Sequence, residues 1–133
     1  MRARSLLVTA LVSSAALVGL AGCSSDSAAV TDIGPADLVE VVADGEAVVL
    51  DVRTPAEFAA GHVAGALNID VSSPTFDDEI AALPDDGTYV VYCRSGNRSA
   101  QAAATMVDAG FEDVYNVDAG LSTLSSAGIP LTQ

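Results

Sequence analysis

The chain has 133 residues, half of them apolar, with three Tyr, three Phe and no Trp. That length suits one domain with a single core, and the composition requires the core to be built from Val, Leu, Ile and Ala. A formal charge of −13, from 18 acidic residues against five arginines and no lysine, excludes nucleic-acid binding through phosphates, which needs a basic surface.

Met1-Arg2-Ala3-Arg4 is a short positive segment, Leu6 to Leu20 is an uncharged apolar run, and Leu20-Ala21-Gly22-Cys23 closes it. This is the pattern of a secretory signal, and the run is short of the roughly 20 apolar residues of a spanning helix. The last four residues resemble the lipobox of bacterial lipoproteins. That resemblance implies cleavage after residue 22, thioether lipidation of Cys23 and anchoring on the extracytoplasmic face of the bacterial cell membrane. The alternative is an ordinary signal peptide cleaved nearby, with Cys23 left free. Removal of residues 1–22 leaves Arg53, Arg94 and Arg98 against 18 acidic residues, a charge of −15. With Cys23 lipidated, Cys93 is the only thiol and no disulfide framework forms, so stability rests on packing.

Ser24 to Thr31 is small and polar and reads as a tether, so residues 32–133 are expected to form the domain. Pro35 at a first helical position opens a helix over Ala36 to Ala43, with Leu38, Val41 and Val42 on one face and Asp44-Gly45 at its end. Ala47 to Asp51 is a short continuous apolar run, the mark of a strand covered on both faces. Thr54-Pro55-Ala56-Glu57 is a capping box that starts a helix ending at Gly61. Ala66 to Ile69 reads as a strand, Asp77 to Leu83 as a brief helix and Pro84 to Gly87 as a turn. Thr88 to Tyr92 is β-branched or aromatic throughout and predicts a buried strand, while the Ala-rich run after Arg98 predicts a helix to Gly110. Val114 to Val117 is a further strand, and Ala119 to Ser126 a last short helix. Strands alternating with helices indicate an α/β fold, a small parallel sheet with helices on both faces, whose reactive groups gather beyond the carboxyl ends of the strands. Asp51, Cys93 and Asp118 fall at such ends.

Cys93 sits at a strand-to-helix switch. The first N–H groups of a helix lack intrahelical partners and carry the positive end of its dipole, so they point at an anion held in the turn. A thiolate is such an anion. Gly96 permits dihedrals closed to other residues, so the amides from Arg94 through Ser95, Gly96, Asn97 and Arg98 to Ser99 are expected to curl around the sulfur, with Arg94 and Arg98 adding two positive charges. Each feature lowers a thiol pKa from about 8.5 towards the range of reactive cysteines. The other reading of Cys93 is a buried, inert cysteine at the end of a core strand.

Asp51-Val52-Arg53-Thr54-Pro55-Ala56-Glu57-Phe58, then Gly61-His62-Val63-Ala64-Gly65-Ala66-Leu67-Asn68-Ile69, then Cys93 to Ser99 together resemble the three signature segments of single-domain rhodanese-type sulfurtransferases. The likeness runs from about Ile33 onward. It implies a rhodanese-like α/β domain, a persulfide on Cys93, small anionic sulfur compounds such as thiosulfate or low-molecular-weight persulfides as substrates, no cofactor and a monomer. The protein acceptor stays unassigned. In that frame Arg94 stands at the loop entrance to guide donors and Arg98 braces the loop. One departure is Ala119-Gly120 followed by Leu124, where the family has Gly-Gly and then Trp, which is expected to loosen packing beneath the loop.

Four residues separate Cys93 from Arg98, whereas the related cell-cycle phosphatases have a loop one residue longer that admits a tetrahedral phosphate. The tighter ring suits a single extra sulfur, and arsenate reduction would want a second thiol. A lipid-anchored binding or sensing module that never turns over is the alternative from another class, and the intact loop argues against it. Asp51 and Arg53 support the active-site rim on one reading and are ordinary strand-end structure on the other. His62, the only histidine, is not needed as a base for an ionised thiol, Thr54 reads as a helix cap, and one His with two Cys makes no credible metal site.

Overall fold

The computed structural model describes residues 28–133, so the expected signal segment, Cys23 and most of the expected tether lie outside the described residues. In chain order the elements are β1 (Thr31–Ile33), α1 (Pro35–Ala43), β2 (Val48–Asp51), α2 (Pro55–Ala60), β3 (His62–Val63) and β4 (Leu67–Asn68). They continue with α3 (Phe76–Ala81), β5 (Thr88–Tyr92), α4 (Asn97–Asp108), β6 (Asp113–Val117), α5 (Leu121–Ser126) and β7 (Leu131–Thr132). Five strands form one sheet in the order β1-β6-β5-β2-β4, every neighbouring pair parallel. The expected fold class is thus the observed one.

The central strand β5 shows why this sequence makes a two-sided sheet. Tyr89, Val91 and then Cys93 face one apolar cluster, with Ile80 of α3 and Ala102, Ala103 and Met106 of α4. Val90 and Tyr92 face the other, with Leu38 of α1, Val63 and Leu124 of α5. Successive strand side chains alternate between faces, so burial on both leaves no polar alternation to read. The Ala-rich face of α4 lets that helix approach β5 and β6 closely, which brings its first turn beside the end of β5. Leu124 is fully buried with Ala119 packed against its cluster, so an aliphatic side chain occupies the position where looser packing was expected.

Several boundaries differ from expectation, each for a local reason. The third helix begins at Phe76, whose ring is buried, and ends at Ala81 before the turn. The fourth begins at Asn97, ahead of the Ala-rich run. The last helix starts at Leu121 because Gly120 is extended, with φ −86° and ψ 164°. Three short strands were not anticipated. β1 exists by pairing with β6, where Asn116 Nδ2 donates to Asp32 Oδ1 at 2.8 Å. β3 and β7 form a two-residue antiparallel ladder from segments 69 residues apart, too short for any periodic signal.

Candidate active site

β5 lies inside the sheet between β2 and β6, so the residue that follows it emerges at the middle of the carboxyl edge. That residue is Cys93, and α4 begins four positions later. The intervening turn depends on Gly96, which has φ +93° and ψ −20°, a left-handed conformation open to glycine. A side chain there would also meet Asp118, since a Cβ would lie 3.2 Å from its Oδ1. The conformation turns the Gly96 N–H onto the Cys93 sulfur at 3.0 Å. Ser99 Oγ is 3.5 Å from the same sulfur and 3.0 Å from the Gly96 carbonyl, with one proton to serve both acceptors.

The Cys93 thiol is wholly buried, and burial is the largest influence on it, pushing its pKa up. The Ser99 hydroxyl and the amides of Ser95, Ser99 and Gly96 together outweigh burial and hold the pKa below the ordinary thiol value. Hydrogen bonds to the ionised form thus do most of the work that the sequence assigned jointly to amides and arginines. Arg98, expected to add a positive charge, is joined to Glu57 of α2 at two points: Nη1 to Oε2 at 2.8 Å and Nη2 to Oε1 at 2.9 Å. Its charge is compensated because a carboxylate from another element faces it. Arg94 is exposed and, among the described residues, makes no salt bridge. Ser95 and Asn97 are exposed on the outer side of the turn.

A cavity of about 340 Å³ opens beside the loop, lined by Arg53, Glu57, Ala60, Arg94, Leu121 and Ser122. One wall is α2 and the other the start of α5, held against the loop by Gly120. A Cβ at Gly120 would fall 2.2 Å from the Arg94 carbonyl oxygen, so even a methyl there would have to displace the Arg94 peptide. In the sequence Gly120 stands out only as a position of the family pattern. Its close approach to Arg94 joins segments 26 residues apart and has no local signature.

Asp51 and Arg53 form a buried network, through which Arg53 reaches the lining of this cavity. Arg53 donates from Nε to Asp51 Oδ1 at 2.9 Å and from Nη2 to Oδ2 at 2.5 Å, and its backbone N–H reaches Oδ1 at 3.0 Å. The same Nη2 donates to the Gly61 carbonyl at 2.7 Å, and the Tyr92 hydroxyl donates to Asp51 Oδ2 at 2.5 Å. Burial, then the bond to Asp51, pushes the Tyr92 pKa up, which keeps its hydroxyl a donor. His62 stacks on Phe58 with ring centroids 3.6 Å apart, and its Nδ1 lies 2.9 Å from the Phe58 carbonyl oxygen. Thr54 caps α2: its Oγ1 accepts from the Glu57 N–H at 3.3 Å, while Glu57 Oε2 accepts from the Thr54 N–H at 3.1 Å. In the sequence Glu57 is legible only as the second half of that cap. The available signal was a carboxylate with acceptor capacity to spare in a chain short of cations.

The family model for the rhodanese-like domain matches residues 34–127. A thiosulfate sulfurtransferase GlpE from Pseudomonas putida is 43% identical over 88 residues, covering 66% of this chain and 78% of that protein. A sulfurtransferase from Allochromatium vinosum is 36% identical over 103 residues, covering 77% of this chain and 94% of the relative. The crystal structure of a rhodanese-related protein from Thermoplasma volcanium matches with a TM-score of 0.67 at 33% identity, over 77% of this chain and 97% of the other.

Proposed function

Since the chain belongs to the rhodanese-like domain family and is a sulfurtransferase of the rhodanese type, we propose that it carries sulfane sulfur from thiosulfate or a persulfide donor to a thiophilic acceptor as a persulfide on Cys93. The observation that supports this reading best is the sulfur of Cys93 at the end of β5, with the Gly96 N–H 3.0 Å away and the Ser99 hydroxyl beside it. The hydrogen bonds that hold the Cys93 pKa below the ordinary thiol value favour the thiolate, and a thiol in that form needs no general base. Its lone pair attacks the outer sulfur of thiosulfate, the new S–S bond forms as the bond to the sulfite sulfur breaks, and the electron pair leaves with sulfite. The negative charge that results sits on the terminal sulfur, where the loop amides can hold it. An acceptor such as cyanide or a thiol then attacks that sulfur and the Cys93 thiolate returns, so the cycle uses no external oxidant or reductant.

Arg94, which is exposed and lines the cavity, supplies the positive charge that would meet an anionic donor. The proposal is tested by incubating the soluble domain with thiosulfate and measuring intact mass. A gain of one sulfur atom, removed again by cyanide, is the expected result. No gain under conditions where the domain is folded would overturn the transfer reading in favour of a module that binds without turnover.

The proposal extends to location. The charged start, apolar run and Leu20-Ala21-Gly22-Cys23 support an exported protein anchored through lipid on Cys23. Stable anchoring needs two acyl chains or a second signal, and a diacylglycerol supplies two. Wild-type protein is expected in the membrane fraction of a bacterial host, and Cys23→Ala is expected to release it or leave it unprocessed. Recovery of wild type wholly in the soluble fraction, with residues 1–22 still attached, would reject the anchor.

A further inference from the structure

We propose that Glu57 is a positioning residue for sulfur transfer, fixing Arg98 at the start of α4 and offsetting the charge that Arg98 presents to the Cys93 sulfur. The inference rests on the reading of Cys93 as the sulfur carrier and adds a residue from a separate element to its control. Capping α2 accounts for only part of the Glu57 carboxylate. The Thr54 N–H and Oγ1 both reach Oε2, at 3.1 Å each, whereas Oε1 is taken by Arg98 Nη2 alone, at 2.9 Å. The two parallel bonds to Arg98 are the fork-to-fork geometry that restricts a guanidinium in angle as well as distance.

Arg98 is the second residue of α4, one position before Ser99, whose hydroxyl and amide both act on the sulfur. Holding Arg98 therefore holds the turn that aims those donors. A cation in the first turn of a helix also opposes the helix dipole, and the Glu57 carboxylate removes that conflict. The charged groups around Cys93 come from four places. Arg98 and Glu57 form a pair of no net charge, Arg94 is exposed on the loop itself, and Asp118, just after β6, lies against Gly96. Asp70, after β4, acts on Arg98 at longer range, as does Cys93 itself. With Arg98 compensated, the thiol is set by hydrogen bonds. With Arg98 uncompensated, it would feel a further positive charge.

The test is the pH dependence of Cys93 alkylation by iodoacetamide, an uncharged reagent whose rate follows the thiolate. The bond from Arg98 draws the Glu57 pKa down to about 2, so Glu57 stays ionised throughout the titration of the thiol. Glu57→Gln keeps the shape but removes the masking charge, and is expected to lower the alkylation midpoint by about one pH unit. Arg98→Gln removes the opposite charge and is expected to raise it. The double variant should return close to wild type, because the pair carries no net charge. In turnover, Glu57→Gln should lower KM for thiosulfate and lower kcat, since a thiolate of lower pKa is a weaker nucleophile. Thr54→Ala weakens the same helix cap and removes one bond to Glu57 Oε2, but it keeps both charges of the pair and both Arg98 bonds, and should lower the melting temperature while leaving the midpoint in place.

An unchanged or raised midpoint in Glu57→Gln overturns the proposal, as does an equal shift in Thr54→Ala, which would make the effect one of helix loosening. If one single variant fails to fold, the other single and the double still decide the sign. Alkylation requires no sulfur donor, so a domain that forms no persulfide would refute the transfer reading and leave the result for Glu57 separately legible.

Discussion

Cys93→Ser is expected to lower thiosulfate-to-cyanide sulfur transfer by more than about a thousandfold, the scale of losing a nucleophile that every step passes through. The fold should survive the change. Cys93 is fully buried at the edge of the cluster that includes Val91, Ala102 and Met106, yet its sulfur already faces donors from Gly96 and Ser99. A serine hydroxyl placed there can accept the same Gly96 N–H, so no buried polar atom is stranded, and the stability change should stay within about 1–2 kcal/mol. The hydroxyl remains protonated at neutral pH and cannot form a persulfide. Thiocyanate formation and thermal melting of both proteins check the two halves of the prediction. Turnover within about tenfold of wild type in a well-folded variant would remove Cys93 from the mechanism.

What could be read in the sequence and what could not divide by distance along the chain. The turn at Cys93 was legible because its parts are adjacent: a β-branched and aromatic strand, a glycine, then a helix-forming run. The α2 cap was legible because Thr54 and Glu57 are three positions apart, the spacing at which a helix start satisfies its own donors. The second engagement of Glu57, with Arg98, crosses 41 residues, as does the bond from Tyr92 to Asp51. Nothing local distinguishes a glutamate that only caps a helix from one that also holds a guanidinium. The same limit explains Arg98. Proximity in sequence to Cys93 suggested that its charge lowers the thiol pKa, and only the tertiary fold reveals the carboxylate that compensates it. β3 and β7 were invisible for a different reason: two residues show no period, and their pairing exists only after the carboxyl terminus has returned to the second signature segment.

Asp51→Ala is expected to be the most destabilising single change near the site. The Asp51 side chain is fully buried and that of Arg53 is 5% exposed, so the pair is held away from solvent and repaid by its own bonds. Removing the carboxylate leaves a buried guanidinium with the Gly61 carbonyl as its remaining partner, and deprives the Tyr92 hydroxyl of its acceptor. Breaking one side of such a pair costs about 3–5 kcal/mol, against about 5–15 kcal/mol of total stability for a domain. In a domain of this size that corresponds to a fall in melting temperature on the order of 15 °C or more. Replacing both partners with apolar residues, Asp51→Leu with Arg53→Met, should recover part of the loss, because no buried charge is then left unpaired. Kinetics decide between support of the rim and ordinary strand-end structure. If the pair is structural, the double variant assayed well below its melting point should keep kcat/KM for thiosulfate within a few-fold of wild type, whereas a rim that guides the donor through Arg53 would show a raised KM even in folded protein. A melting temperature unchanged in Asp51→Ala would show that solvent reaches this network and that the burial argument does not hold.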